Sequence, residues 1–295
     1  MTPSDDLPDG RGVNALYRRE PFELGEGRAM VSLGRLTTNR HCTYRCPFCY
    51  VNADYQSFGS RSPEQITDWV RRQEQDSFDV IYVSGDTDSF APPRQSTGIE
   101  LLERLAPVGK DLLFTTRAIF DEPALARLEE LNRRLRADGR WLFGCVSICQ
   151  WTVPRLEPMP IAEPSVRAGQ LVELSRRGLV AVLALRPFLP VVPLNDYSAI
   201  LDACGTFVDL VLGEDWYADQ GGRLEQAVLG APSVGPYIIE RMPFDTNVSE
   251  WRVYKLEEHE SHVREQCAAR GLPFFMRSGP ALNHWRESRA QASGK

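Results

Sequence analysis

Residues 111–149 read DLLFTTRAIFDEPALARLEELNRRLRADGRWLFGCVSIC. Two apolar runs, Leu112–Arg117 and Trp141–Cys149, flank a helical pattern, Glu122–Ala137, whose Leu125, Leu128, Leu131 and Leu135 fall on one face. A strand, an amphipathic helix and a second strand joined by short links make a parallel βαβ unit with a right-handed crossover. The same rhythm runs outward in both directions. Further strands are predicted at Val31–Asn39, Asp79–Ser84, Val180–Phe188 and Phe207–Gly213, and helices at Pro63–Gln75, Thr97–Ala106, Pro164–Arg177 and Asp196–Cys204.

Six strands of continuous apolar character suit a sheet buried on both faces, curled into a partial (β/α)6 barrel. The alternative is a flat doubly wound sheet, but the glycine-rich turn expected after its first strand is missing. Residues 29–214 are thus expected to form the barrel. Residues 1–28, rich in Asp, Gly, Pro and Arg, read as a flexible N-terminal arm. Residues 215–295 read as a C-terminal extension: a lid-like loop over 215–247, a helix around Trp251–Arg270 and a short strand at Pro273–Met276.

With 42% hydrophobic and 25% charged residues among 295, the chain has the composition of a globular protein. No apolar run reaches the roughly 18–20 residues of a membrane helix. The polar first residues resemble no export signal, so a cytoplasmic location is expected. A formal charge of −6 argues against a partner such as DNA, since phosphate neutralisation supplies most of the affinity of nonspecific binders.

The seven cysteines are an odd number, which disfavours a disulfide framework. Cys42, Cys46 and Cys49 fall within eight residues, just after the first predicted strand. In βα barrels chemistry sits at the carboxyl ends of the strands. Three thiolates so spaced suit one face of a [4Fe–4S] cluster and leave the fourth iron open. Zinc is the alternative, and would make the cysteines a staple in a non-enzymatic protein. His41 abuts Cys42 too closely for easy joint ligation, and nothing ties His259 or His262 to the loop.

The spacing C-x3-C-x-aromatic-C after the first strand of a βα chain resembles the signature of the radical S-adenosylmethionine (SAM) superfamily. The resemblance covers roughly residues 31–213 and implies a [4Fe–4S] cluster on Cys42, Cys46 and Cys49, with SAM as the second cofactor. In that superfamily the reduced cluster cleaves SAM, and a 5′-deoxyadenosyl radical abstracts hydrogen from the substrate. Phe48 in the cysteine loop, the turn Ser84-Gly85-Asp86-Thr87, Arg117, Ser147 and Arg186 are implied at the SAM site. A low-potential donor such as flavodoxin or ferredoxin is the implied electron source.

Leu156-Glu157-Pro158, Arg167, the run Leu185–Pro190 and Asn195-Asp196 are similar in order to the spore photoproduct lyase and DNA-repair-photolyase-like branch. That lyase carries a cysteine near the second-strand turn, and this chain has none between Cys49 and Cys145. The expectation is therefore a small, nucleoside- or sugar-like substrate and a tailoring reaction of lyase or oxidoreductase type. A DNA-lesion lyase is the alternative. Cys145 and Cys149, expected on one strand face with Ser147, are candidate hydrogen-atom donors. Arg186 is a candidate catalytic or substrate-holding cation. Tyr50, Tyr55, Trp151, Trp216 and Tyr217 are candidate stacking residues, Glu214-Asp215 a candidate polar contact, and Tyr254 a candidate relay.

Overall fold

The computed structural model describes residues 27–34, 42–52, 60–85, 87–231, 237–240 and 250–292. The expected N-terminal arm, Tyr55 and Asp86 lie outside these residues, apart from the arm's last two positions.

Elements follow in the order β1 (Arg28–Val31), α1 (Pro63–Arg71), β2 (Val80–Val83), α2 (Gln95–Leu105), β3 (Asp111–Thr116), α3 (Glu122–Ala137), β4 (Leu142–Ser147), α4 (Pro164–Arg176), β5 (Val180–Ala184), α5 (Leu194–Cys204) and β6 (Leu210–Leu212). Then come β7 (Trp216–Asp219), α6 (Arg223–Leu229), β8 (Ile238–Glu240), β9 (Trp251–Tyr254), α7 (Glu257–Ala269), β10 (Phe274–Phe275) and α8 (Ser278–Ala292). Seven strands, β1 to β6 and then β10, form one parallel sheet curled into a half-barrel. The fold is α/β, a partial barrel of the expected kind, with the C-terminal strand added beside β6.

Alternation along each strand divides the core into two layers. Val31, Ile81, Val83, Phe114, Val146 and Leu183 pack outward beneath the helices. Met30, Tyr82, Leu113, Phe143, Cys145 and Val182 fill the concave face. This period of two follows from the pleat, and register carries it across the sheet: Met30 is opposite Tyr82, Tyr82 opposite Leu113, and Leu113 opposite Phe143. Both faces are buried, hence the continuous apolar runs in the sequence.

Local signals start the helices. Ser62 and Gln65 form a reciprocal capping box at α1, and the Asp121 carboxylate accepts from Ala124 N at 2.9 Å at α3. Helix α8 closes the concave face at the amino ends of the strands. Ala281, Leu282 and Trp285 join the inner layer, Trp285 packs edge-on against Trp141 and Phe143, and Arg286 pairs with Asp79 and Asp111. The carboxyl ends are left open.

Some elements differ from the sequence expectation. The first strand begins earlier than expected, at Arg28, and ends at Val31, with a left-handed turn at Gly34 (φ +68°); residues 35–39 of the expected strand lie outside the described residues. Within 215–247, read as loops, the described residues form β7, α6 and β8, and β7, β9 and β8 make a second, antiparallel sheet. The helix expected from Trp251 begins at Glu257, since Trp251–Tyr254 is β9. Helix α8 was not expected. Among the described residues no helix is long and apolar enough to cross a membrane.

Candidate active site

The carboxyl ends of the barrel strands surround a cavity of about 300 Å³. Met30 of β1, Tyr82 of β2, Thr115 and Thr116 of β3, Ser147 of β4, Arg186 after β5 and Glu214 after β6 all line it. The loop after β1 brings Cys42, Cys46 and Cys49 to the same cavity. Ser84, Gly85, Thr87, Arg117 and Phe48 line it too, so the described residues of the expected SAM site converge in one place.

The cysteine loop is held from several sides. Cys49 N donates to the Cys46 carbonyl at 3.1 Å, which sets a tight turn, and Thr43 Oγ1 donates to Pro92 O at 2.6 Å. Trp216 Nε1 donates to Phe48 O at 3.1 Å, and the Arg117 guanidinium lies 5.6 Å from the centre of the Phe48 ring. None of the three forms a disulfide among the described residues. Burial, with Asp88 adding to it, pushes Cys42 up to about 11, and burial pushes Cys46 up to about 12. Bare thiolates are thus disfavoured unless a metal takes their charge. Among the described residues the cavity wall offers three thiols and neither a histidine nor a fourth cysteine. That donor set fits a [4Fe–4S] cluster with one open iron.

The turn after β2 is built for polar contact. Ser84 has φ +72°, an uncommon left-handed conformation for a non-glycine residue, and its Oγ accepts from Ser89 N at 2.9 Å. Asp88 accepts from Arg117 N at 2.7 Å, Phe90 N at 2.9 Å and Thr116 Oγ1 at 3.0 Å. Those bonds lock the second-strand turn to the end of β3. Burial still outweighs them and raises the Asp88 carboxyl.

Arg117 is fixed from behind. Its Nε donates to Glu157 Oε1 at 3.0 Å, and Arg167 grips the same carboxylate with two nitrogens. Gln150 Nε2 adds a fourth donor at 3.1 Å. Burial opposes ionisation of Glu157, but Arg167 and Arg117 prevail and hold it below the ordinary carboxylate range. Arg167 also reaches the carbonyls of Ser147 and Ala162. Asp196 pins the loop after β4 by accepting from Trp151 N at 2.7 Å, Thr152 N at 2.8 Å and Thr152 Oγ1 at 2.9 Å.

On the concave wall, Arg186 Nη2 donates to Tyr82 Oη at 2.6 Å, and Tyr82 Oη lies 2.9 Å from Thr115 Oγ1. Cys145 is opposite Thr115 in the register, buried beside this chain. Cys149 does not share its face. Strand β4 ends at Ser147, so Cys149 packs in the outer layer, while Cys145 stays inside. Burial pushes both thiols up.

Glu214 and Asp215, expected as polar contacts, line the cavity, and so do Tyr82, Thr115, Met276, Arg277 and Ser278, which were absent from the expected site. Glu214-Asp215 stood at a predicted strand end and carried a signal. Met276–Ser278 carried none, because the pairing of β10 with β6 is a long-range contact.

Residues 36–138 match the model of the radical SAM superfamily. That segment carries a radical SAM domain, the domain of enzymes that use a [4Fe–4S] cluster and SAM. Among solved structures, Streptococcus suis SuiB bound to S-adenosylmethionine aligns with a TM-score of 0.55 and 11% identity. That alignment covers 85% of this chain and 50% of SuiB, so the chain spans about half of SuiB's length. A spore photoproduct lyase mutant with dinucleoside spore photoproduct aligns with a TM-score of 0.60 and 12% identity, over 92% of this chain and 87% of that one. Another mutant of that lyase, with bound AdoMet and the dinucleoside, gives 0.57 and 11%, over 92% and 87%. These likenesses are of fold. No curated protein sequence matches.

Proposed function

We propose that Cys42, Cys46 and Cys49 hold the [4Fe–4S] cluster, that SAM lies against Phe48, the Ser84–Thr87 turn, Arg117 and Ser147, and that the rest of the cavity encloses a small substrate. Once bound, cluster and SAM would supply the radical chemistry that takes hydrogen from that substrate. The carrying observation is that the three cysteines and the expected SAM contacts line one cavity at the carboxyl ends of the strands.

Each side chain has a task. Arg117 presents a cation for the methionyl carboxylate of SAM, steadied by Glu157 behind it. The Ser84 turn offers backbone and hydroxyl groups to the SAM amine. Ser147, 2% exposed at the end of β4, suits a ribose hydroxyl. Trp216 and Phe48 wall the cavity with apolar surface that keeps water from a reactive radical. Tyr82 on the wall and Cys145, buried opposite the wall residue Thr115, are candidate hydrogen donors. Electrons come from an external low-potential donor of the flavodoxin or ferredoxin kind.

A nucleoside- or sugar-like substrate in a tailoring reaction suits an enclosed cavity in an acidic chain. A DNA-lesion lyase gains support from the fold likeness, and loses it from the charge of −6 and from the described second-strand turn, which has no cysteine. The deciding experiment is anaerobic reconstitution and reduction with SAM, quantifying 5′-deoxyadenosine against Cys46→Ala. Deoxyadenosine from the native enzyme alone supports the reading. Equal amounts from both sink it.

A further inference from the structure

Two opposite charges face the cavity on the far strands of the barrel without closing on each other. Arg186 follows β5 and Glu214 follows β6. Both are half-buried and both line the cavity. Each carries the other's field: Glu214 and Tyr82 favour the Arg186 cation against burial, and Arg186, Arg28 and Arg277 partly offset the burial that raises Glu214. Yet among the described residues they form no ion pair.

Their hydrogen-bonding capacity is also unspent. Arg186 uses Nη2 on Tyr82 and Thr115, and its remaining donors have no partner among the described residues. The Glu214 carboxylate accepts no hydrogen bond there, and neither does its neighbour Asp215. A half-buried carboxylate without donors is costly. Such a group calls for an explanation, and a ligand that completes it is one.

We propose that Arg186 and Glu214 form the receptor of a small zwitterionic substrate, one bearing an ammonium and an acidic oxyanion, as a free amino acid does. This rests on the function proposed above and names its substrate class. The oxyanion docks on Arg186, with Arg277 at the rim. The ammonium docks between Glu214 and Asp215, beside the Tyr217 ring. A neutral sugar or base would leave both charges uncompensated, whereas a zwitterion supplies charge-assisted bonds at each end. The amino and carboxylate groups of SAM are accounted for at Ser84–Thr87 and Arg117, so this is a second zwitterion. Both receptor residues lie outside the 36–138 segment that the superfamily model matches.

The test uses cluster-loaded enzyme under anaerobic conditions with SAM present. Binding of the twenty common L-amino acids, their N-acetyl forms, their decarboxylated amines and the pyrimidine nucleosides is read by saturation-transfer nuclear magnetic resonance. At least one free amino acid should bind the native enzyme, and bind tenfold or more weakly once N-acetylated or decarboxylated. Glu214→Gln should weaken it by a similar factor. Ligand-free Glu214→Gln should melt no lower than the native enzyme, because the carboxylate has no partner to lose. Failure of every free amino acid to bind, undiminished binding in Glu214→Gln, or a lower melting temperature overturns the proposal. If the native enzyme cleaves SAM while these fail, only the substrate class falls. If it does not cleave SAM, the underlying reading falls first.

Discussion

Trp216, the first residue of β7, donates its indole N–H to the Phe48 carbonyl across 168 residues of sequence. The bond ties the second sheet to the cysteine loop. Trp216 is 1% exposed and stacks on Tyr254 with ring centres 4.8 Å apart. The antiparallel sheet is therefore a buttress for the cluster loop, whose described residues 42–49 form no helix or strand.

Trp216→Phe keeps most of the packing and leaves the Phe48 carbonyl without its donor. A cost of about 1–2 kcal/mol is expected. Loosening should concentrate in the loop, so iron and sulfide per chain after reconstitution should fall more than the melting temperature does. Metal analysis beside a thermal melt checks this. Native cluster content in Trp216→Phe would show that the bond does not position the loop.

Glu157 sits between Arg117 and Arg167 at 6% exposure. Glu157→Gln leaves two guanidinium groups facing a neutral amide, and breaking a buried network this way costs roughly 3–5 kcal/mol. The folded-state carboxyl is held below its unfolded value. Its stabilisation is thus fully present above about pH 4.3 and fades as pH falls through the lower folded value. Urea denaturation from pH 7 down to pH 3 should show an acid limb in the native enzyme that is shallower in Glu157→Gln. Parallel limbs would remove Glu157 from the acid response.

The half-barrel was legible because its signal repeats: each strand is apolar on both faces and each helix has one apolar stripe. Leu125, Leu128, Leu131 and Leu135 are all buried, and α3 has the bounds that its periodicity predicts. The second sheet was illegible because β7, β8 and β9 span three or four residues each, and Trp216 finds its partner Tyr254 far along the chain. Helix α8 opens with Ser-Gly-Pro, which reads as a turn, and only its burial of Ala281, Leu282 and Trp285 explains it. In the site, the cysteine spacing was a local motif and could be read directly. The common face expected for Cys145 and Cys149 required β4 to continue beyond Ser147, and the strand's end depends on its neighbours.

Gly98 fixes the distance between α2 and the loop that follows the second-strand turn. A Cβ added there would stand 2.5 Å from the Ser89 carbonyl oxygen and 2.9 Å from the Phe90 ring. The backbone contact cannot yield without moving residues 84–89, which include the expected SAM turn. Gly98→Ala should destabilise by about 1–3 kcal/mol despite alanine's better helix propensity. SAM affinity, measured by equilibrium binding to reconstituted enzyme, should fall several-fold. Unchanged stability and affinity would show that the turn is not braced by α2.

Asp215 provides a pH signature of opposite sign to that of Glu157. Burial raises its carboxyl from 3.8 to about 6, with Glu260, Glu214 and Glu240 adding to the effect and Lys255 opposing it. The folded state then holds the proton more tightly than the unfolded chain. Stability declines as pH climbs from the unfolded value near 3.9 toward 6, and above 6 the full penalty is present. Asp215→Asn cannot ionise and escapes that penalty. With partial solvent screening, the gain at pH 7.5 should be on the order of 1–2 kcal/mol. At pH 4, where the native carboxyl is protonated and the unfolded one only about half ionised, little of the penalty has accumulated, and the two proteins should melt within about a degree of each other. Melting curves at the two pH values decide it. A gain of equal size at both would place its origin in packing, and a loss at pH 7.5 would mean that the ionised carboxylate is held by a favourable contact.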